Sequence, residues 1–209
     1  AARSIVLLSH KDQLIAAFAL ADALQEDSVK AVERLKAQGI KVMMLTGDNA
    51  ATAQSVASLV AVDDYAAELM PEDKLNKIKQ LQQQGQVVAM VGDGINDAPA
   101  LSQADVGFAM GQGTDVAIES ADLCLLNSSL HGVADAIELS HATLRNIKQN
   151  LWGAFAFNSL GIPIAAGVLF PLTGMLLSPM LAALAMSLSS VTVVTNANRL
   201  RLFKSSRRN

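Results

Sequence analysis

The sequence predicts an α/β fold with a parallel sheet, followed by a hairpin of two membrane-spanning helices. Short apolar strands alternate with helical segments over residues 1–130, an order typical of parallel sheets covered by helices on both faces. No Asp, Glu, Lys or Arg occurs at residues 149–198, and this uncharged stretch is long enough for two spans. Residues 1–130 hold 9 basic and 17 acidic residues, a net charge of −8, which argues against nucleic acid as a partner.

Six apolar runs are predicted as strands and four segments as helices. The strands are short runs that end in polar or glycine-containing turns, at residues 4–8, 13–21, 40–45, 86–91, 105–109 and 122–126. Residues 28–38 and 71–84 show apolar residues three or four positions apart, and Pro71 opens the second of these helices and Gly85 ends it. Residues 50–59 are small and compatible with a helix, and a further helix is predicted at residues 97–102. The single cysteine, Cys124, excludes an internal disulfide, and we expect it to be a small buried apolar residue.

Two uncharged runs, 151–170 and 175–198, each have the length needed to cross the roughly 30 Å core of a bilayer. Residues 171–174 between them are predicted as a turn. The basic tail at residues 199–209 marks the cytoplasmic side, and a hairpin returns to the side where it starts, so we expect the α/β region there too. Residues 131–148 have a helical pattern that we expect to continue into the first span, with packing residues at Val133, Ile137, Leu144 and Ile147.

Polar residues follow two of the predicted strands, where ligands bind in parallel sheets. TGDN at residues 46–49 follows one strand, and GDGIND at residues 92–97 follows another. Several carboxylates in one small space repel each other unless a cation neutralises them, and such hard oxygen ligands select Mg²⁺, which usually acts with a phosphate. We expect Lys74, near the start of the helix that Pro71 opens, to complete a phosphate site. The alternative is that Asp97 is only a helix N-cap and residues 46–48 only a turn.

Three motifs, TGDN at 46–49, PEDK at 71–74 and GDGINDAPAL at 92–101, resemble the phosphorylation domain of P-type ATPases in their order and spacing. That domain belongs to the haloacid dehalogenase superfamily, so the resemblance implies a Rossmann-like parallel sheet. It also implies that Asp93 and Asp97 bind Mg²⁺ beside a transferred phosphoryl group. The other implied site residues are Thr46, Gly47 and Lys74 at the phosphoryl oxygens, Asp48 on the nucleotide side, Asn96 beside Asp97, and Asp22 at the hinge to the nucleotide-binding domain.

Two motifs of that family do not occur in this sequence. The DKTGT motif, whose Asp becomes an aspartyl phosphate, is absent, and so is the TGE of the actuator domain. We therefore expect the C-terminal portion of a pump, unable to autophosphorylate alone and completed by a missing N-terminal part; a truncated or regulatory fragment is the alternative. The resemblance divides the chain into the end of a nucleotide-binding domain and hinge, a phosphorylation domain, a connecting helix, two spans and a tail, at residues 1–20, 21–130, 131–150, 151–198 and 199–209.

Polar residues inside the predicted spans indicate which ion is transported. Asn158 lies in the first span, and Met186 and Ser190 lie in the second. A thioether is a soft ligand that suits Cu(I), and no carboxylate of the kind expected in a calcium or proton pump occurs there. The pattern resembles the copper(I)-exporting branch of the heavy-metal P-type ATPases, in which Tyr-Asn precedes a Pro in one span and Met-x-x-Ser-Ser follows in the next. Pro163 and Ser189 also match, whereas Phe157 stands in place of the tyrosine.

The resemblance implies ATP, Mg²⁺ and transported Cu⁺ or Ag⁺, with membrane lipid and a copper chaperone as partners. The zinc and cadmium branch is expected to show a Lys in the first span and an Asp in the second, and neither is present. A potassium-type pump, which shares TGDN and GDGIND, is the alternative within the family. We expect a multi-pass membrane protein whose phosphorylation domain and C-terminus are cytoplasmic.

Overall fold

The structure, a computed structural model, describes residues 4–10, 13–20, 27–93, 95–111, 118–127, 129–174 and 178–205. The chain divides into two compact units, Ala1–Ala134 and Asp135–Asn209. Asp22, the expected hinge residue, lies outside the described residues, as does Gly94 of the GDGIND motif.

The first unit begins with an antiparallel hairpin of strands β1 (Ser4–His10) and β2 (Gln13–Leu20). Both strands were predicted, although β1 extends two residues further than expected. The hairpin forms a sheet of its own and pairs with none of the other described strands. It therefore contributes no strand to the parallel part of the fold.

The next segment is a parallel pair of strands with two helices. Helix α1 (Ser28–Ala37) precedes β3 (Met43–Leu45), and helix α2 (Ala50–Val60) connects β3 to β4 (Asp64–Ala66), which pairs with it in parallel. The Asn49 side chain accepts a 2.9 Å hydrogen bond from the Thr52 N–H and so caps α2. Strand β4 was not predicted, because three residues that include Asp64 and Tyr65 give no apolar run.

A second parallel sheet follows, with strand order β5-β6-β7. Helix α3 (Pro71–Gln83) precedes β5 (Ala89–Gly92), and a 3₁₀ turn (Ile95–Asp97) and helix α4 (Ala98–Gln103) precede β6 (Val106–Met110) and β7 (Leu123–Leu125). Buried Ile78, Met90, Ala100 and Leu101 form its core. The predicted α/β fold with parallel strands is thus confirmed, but the described strands form two parallel sheets rather than one.

Cys124 is exposed, so the prediction that it is buried was wrong. It lies on β7, which pairs only with β6 among the described strands and is therefore at the edge of its sheet. An edge strand lacks a neighbour on one side, so its side chains are covered less completely than those of a central strand.

Helix α5 (His131–Ala165) is continuous, as expected from the pattern of residues 131–148. Its first turn belongs to the first unit, where Nδ1 of His131 lies 3.1 Å from the Arg34 guanidinium. The expected packing residues differ in burial: Val133 is only 3% exposed, whereas Leu144 and Ile147 are 51% and 53% exposed. The prediction that Leu144 and Ile147 are packing residues was therefore wrong for this structure.

The predicted first span, residues 151–170, is not a single helix. Helix α5 ends at Ala165, two residues after Pro163, and Gly167 has a left-handed φ of +89° that stops the helix. Of the predicted turn, residues 171–173 lie in a short helix, α6 (Phe170–Thr173), and Gly174 caps that helix with a left-handed φ of +67°. The following helix, α7 (Pro179–Asn198), continues into a 3₁₀ turn (Arg199–Leu202). Within the described ranges, one helical stretch, Met180–Leu202, is long and apolar enough to cross a membrane.

Candidate functional site

The loop after β3 is fixed to the loop after β4 by backbone hydrogen bonds. Thr46 N–H donates to Ala66 O at 3.0 Å, and Leu69 N–H donates to Thr46 O at 3.1 Å. Glu68 N–H donates to Asp48 O at 2.8 Å, from a residue whose φ is +56°. These bonds hold residues 46–48 against residues 66–69, which lead into helix α3 at Pro71. The carboxyl ends of β3 and β4 are therefore fixed next to each other.

Within this loop the side chains of Thr46 and Asp48 bond to each other. The Thr46 hydroxyl donates to Oδ2 of Asp48 at 2.9 Å and accepts from the Asp48 N–H at 3.1 Å. A Cβ on Gly47 would lie 3.4 Å from Leu69 O, an ordinary contact. The predicted turn and the predicted site residues thus coexist: the turn is real, and it leaves the Asp48 side chain exposed.

Lys74 forms an ion pair with Asp97, which lies 23 positions away in the sequence. Nζ of Lys74 lies 2.8 Å from Oδ1 of Asp97, and the two side chains are only 16% and 14% exposed. Lys74 is in the first turn of α3, which is held by a 2.9 Å hydrogen bond from Met70 N–H to Oδ2 of Asp73. Because water is largely excluded from the pair, the charges interact more strongly than they would in a surface pair.

Gly92, the last residue of β5, leaves the space that the Asp97 side chain occupies. A Cβ built on Gly92 would lie 2.7 Å from Cβ of Asp97 and 2.8 Å from its Oδ2. Real Cβ atoms essentially never come so close, so any larger residue here displaces the carboxylate. The glycine at this position is therefore required for the ion pair itself and not only for turning the backbone.

Asp93 and Asn96 follow β5 and are both exposed. Among the described residues, no three His, Cys, Asp or Glu side chains are grouped closely enough to hold a metal ion. Asp97 already forms an ion pair with Lys74, so of the two aspartates Asp93 is the one more available to bind a metal ion. Mg²⁺ commonly binds through one or two carboxylates, several waters and substrate phosphates, so this donor set fits Mg²⁺ together with a phosphate.

Of the expected ion ligands, Asn158 lies on α5 and Met186 and Ser190 lie on α7, and no hydrogen bond joins the Asn158 side chain to the other two in the part of the chain that the structure describes. Asn158 is exposed, and Met186 is 73% exposed. The Ser190 hydroxyl donates to the Met186 carbonyl at 3.2 Å, a bond within α7. A groove of about 260 Å³ between the two helices is lined by Phe157 and Ser189, the chain neighbours of Asn158 and Ser190.

A cluster of side-chain amides that the sequence reasoning missed joins α5 to α7. Nδ2 of Asn146 donates to Asn196 O at 2.6 Å, and Nδ2 of Asn196 donates to Oδ1 of Asn150 at 2.8 Å. Asn150 also donates to Oδ1 of Asn146, and Arg199 donates to Oδ1 of Asn196. Asn146 is only 8% exposed. Two asparagines four positions apart on a helix, followed by an apolar span, were the available signal.

Three aspartates accept hydrogen bonds at the amino ends of the parallel strands, away from the loops at residues 46–48 and 92–97. The side chains of Asp63, Asp105 and Asp122 each accept a 2.8 Å hydrogen bond from a backbone N–H, those of Val42, Val88 and Gly107. The Val42 N–H, and then Lys36, hold the pKa of Asp63 below its ordinary value. The Val88 N–H lowers the pKa of Asp105 in the same way. Part of the acidic charge of this unit is therefore structural and lies away from residues 46–48 and 92–97.

Comparison with known proteins identifies both a family and close relatives. The family model described as haloacid dehalogenase-like hydrolase matches residues 1–105. A copper-exporting P-type ATPase of Vibrio cholerae is 55% identical over 199 residues, 95% of this chain and 22% of the relative. A copper-exporting P-type ATPase of Legionella pneumophila is 50% identical over 198 residues, 95% of this chain and 27% of the relative. The chain thus spans about a quarter of the length of these curated relatives.

Solved structures match as well. A zinc-transporting PIB-type ATPase in the E2.Pi state superposes with a TM-score of 0.79 and 40% identity, covering 95% of this chain and 31% of that one. The catalytic domain of a CPx-ATPase matches with a TM-score of 0.52 and 30% identity, covering 62% of this chain and 56% of that one.

Proposed function

We propose that this chain, which belongs to the haloacid dehalogenase-like hydrolase family, forms the C-terminal part of an ATP-driven copper(I) exporter. Relatives at 50–55% identity that carry the copper-exporting name support this assignment. ATP and a metal ion are then the substrates of the whole pump. The equally soft ion silver(I) is accepted by the same ligands, and a copper chaperone delivers the ion.

The ion pair between Lys74 and Asp97 carries the proposal for the phosphoryl site. Asp97 holds the Lys74 ammonium at the carboxyl end of β5, where it offsets charge on the oxygens of a transferred phosphoryl group. The Thr46 hydroxyl, which donates to Asp48 in this structure, would turn to donate to the same oxygens, with Gly47 allowing close approach and Asp48 lining the nucleotide side. Asp93, with Asn96 and Asp97 beside it, would hold Mg²⁺, which supplies positive charge against the phosphate when it is bound.

The nucleophile is an aspartate in the part of the pump outside this chain. In the described residues, β3 pairs only with β4 and β5 pairs only with β6, so each strand has a free edge. A further parallel strand between them would end at the same edge as Thr46 and Asp93, because the carboxyl ends of parallel strands lie together. Such a strand would present its last residue, the acceptor of the phosphoryl group, to Lys74.

Asn158, Met186 and Ser190 are the proposed ligands of the transported ion. Their amide, thioether and hydroxyl groups include a soft sulfur and carry no charge, which suits Cu(I) or Ag(I). Zinc sites favour Cys, His and carboxylates, and residues 149–198 contain none of these. This difference favours copper over zinc, although the similar solved structure is named for zinc.

The proposal is tested by replacing Met186 with leucine in the full-length protein and measuring ATP hydrolysis with Cu(I) or Zn(II) added. Leucine keeps the volume and removes the sulfur, so Cu(I) should no longer stimulate hydrolysis. Met180→Leu, on the same helix and 80% exposed, is the matched control and should retain stimulation. The assignment to copper is contradicted if Cu(I) stimulates the Met186 variant as strongly as the unaltered protein. It is also contradicted if Zn(II), and not Cu(I), stimulates the unaltered protein.

A further inference from the structure

Five basic side chains gather at one end of the helix pair formed by α5 and α7. Arg145 and Lys148 lie within four residues before the uncharged residues 149–198, and Arg199, Arg201 and Lys204 lie within six residues after them. The 2.6 Å bond from Asn146 to the Asn196 carbonyl places both groups at the same end of the pair. All five side chains are exposed, and no Asp or Glu occurs in the sequence after Glu138. We call these five residues the basic collar.

Two residues of the collar, Arg145 and Lys148, line a shallow, open depression of about 590 Å³ on the surface of α5. Its lining residues are three or four positions apart, which puts them on one face of the helix: His141, Leu144, Arg145, Lys148, Gln149 and Trp152. Trp152 is 76% exposed and lies one turn beyond Lys148, where the charged part of the helix ends. At 1.5 Å per residue the face is about 16 Å long from His141 to Trp152, with cations in its middle and an aromatic ring at its apolar end.

This arrangement matches the chemistry of an anionic phospholipid. Arg and Lys bind phosphate oxygens, and basic clusters next to a spanning helix attract acidic head groups. Tryptophan prefers the level of the head groups, where its ring contacts acyl chains and its N–H contacts polar groups. A soluble phosphate compound would use the cations alone and would gain nothing from a tryptophan at the edge of the uncharged stretch.

We propose that the basic collar, together with Trp152, binds the head groups of anionic phospholipids at the membrane surface. The bound lipid neutralises cations that would otherwise repel each other where α5 and α7 meet. This proposal does not depend on the transported ion or on phosphoryl transfer, because it uses only residues that have no role in either site.

The test is native mass spectrometry of the full-length protein in detergent, titrated separately with phosphatidylglycerol and phosphatidylcholine. The unaltered protein should bind phosphatidylglycerol in preference. Each basic residue near an anionic surface contributes about fivefold in affinity, so the double variant Arg145→Gln/Lys148→Gln should lose about 25-fold. The matched control, Lys30→Gln/Lys79→Gln, removes the same charge from exposed positions of the first unit and should bind the lipid unchanged.

The variant Arg145→Lys keeps the charge and guards against loss of folding, so it should retain binding close to that of the unaltered protein. Equal binding of the two lipids overturns the proposal. Equal losses in the double variant and its control also overturn it, since the effect would then follow net charge rather than position. Inorganic phosphate that displaces phosphatidylglycerol completely would show a site for free anions and would contradict the role given to the lipid.

Discussion

If Asp97 acts by holding Lys74, then removing either residue should cost nearly as much as removing both. The perturbations are Lys74→Met, Asp97→Asn and the double variant, in the full-length protein. At 2.8 Å and an effective dielectric constant of about 20, the attraction between the two charges is about 6 kcal/mol. Desolvation of two side chains that are mostly buried offsets much of it, so the net coupling is about 1–3 kcal/mol.

The assay is the rate of Mg²⁺-dependent ATP hydrolysis at saturating ATP. Loss of a positioned cation at a transferred phosphoryl group lowers such rates by about 100-fold to 1,000-fold, and Lys74→Met should fall in that range. Asp97→Asn leaves the cation unheld and should lose about 100-fold. The double variant should be only a few-fold slower than Lys74→Met. The exposed control Lys79→Met should stay within about twofold.

Independent effects of the two residues would refute this reasoning. The double variant would then lose the product of the two single effects, on the order of 10,000-fold or more. A normal rate for Asp97→Asn would also refute it, because the ion pair would then be structural and Lys74 would need no partner to act.

Three further perturbations are predicted from the geometry. Gly92→Ala puts a methyl group 2.7 Å from Asp97 and should slow hydrolysis about 100-fold, whereas Gly153→Ala, with no atom within 4 Å, should not. Asn146→Ala removes the hydrogen bond between α5 and α7, so it should lower the unfolding temperature of the second unit and cost about 1–3 kcal/mol of its stability. Asn150→Ala should cost less, since its amide is less buried. Because the folded pKa of Asp63 and of Asp105 is lowered, their stabilisation is complete above the ordinary pKa of 3.8 and is lost as the pH falls through the lower folded pKa. Urea titrations at a series of pH values below 3.8 should show this loss as a falling urea midpoint of unfolding. The fall should be smaller in Asp105→Asn. A midpoint that does not change with pH in this range would contradict the prediction.

Much of the fold was predictable because its signals are local. Apolar runs followed by glycine and aspartate located the strands that end at Leu45 and Gly92, and proline and glycine located both ends of α3. The resemblance to P-type ATPases, based on three short motifs, and to their copper(I)-exporting branch, based on residues of the predicted spans, is confirmed by the relatives and the solved structures. The motifs at residues 46–49 and 92–97 were informative because each directly follows a strand. The position of that strand in the sheet determines where the side chains of the motif lie.

The parts that could not be predicted depend on packing between distant segments. Nothing in the sequence near Lys74 indicates that Asp97 is its partner, and the reason for Gly92 appears only once that carboxylate is in place. The amide cluster joins positions 50 residues apart. The break after Ala165 was missed because composition alone suggested a span, although Pro163 and Gly167 were local signals against one long helix.

The most direct test of the account is ATP-dependent uptake of metal into inverted membrane vesicles that contain the full-length protein. We predict that Cu(I) accumulates in the vesicles, that Zn(II) and K⁺ do not, and that Asp93→Asn abolishes the uptake while Glu33→Gln, an exposed change on α1, does not. Uptake of Zn(II) or K⁺ in place of Cu(I), or undiminished uptake by the Asp93 variant, would contradict the account.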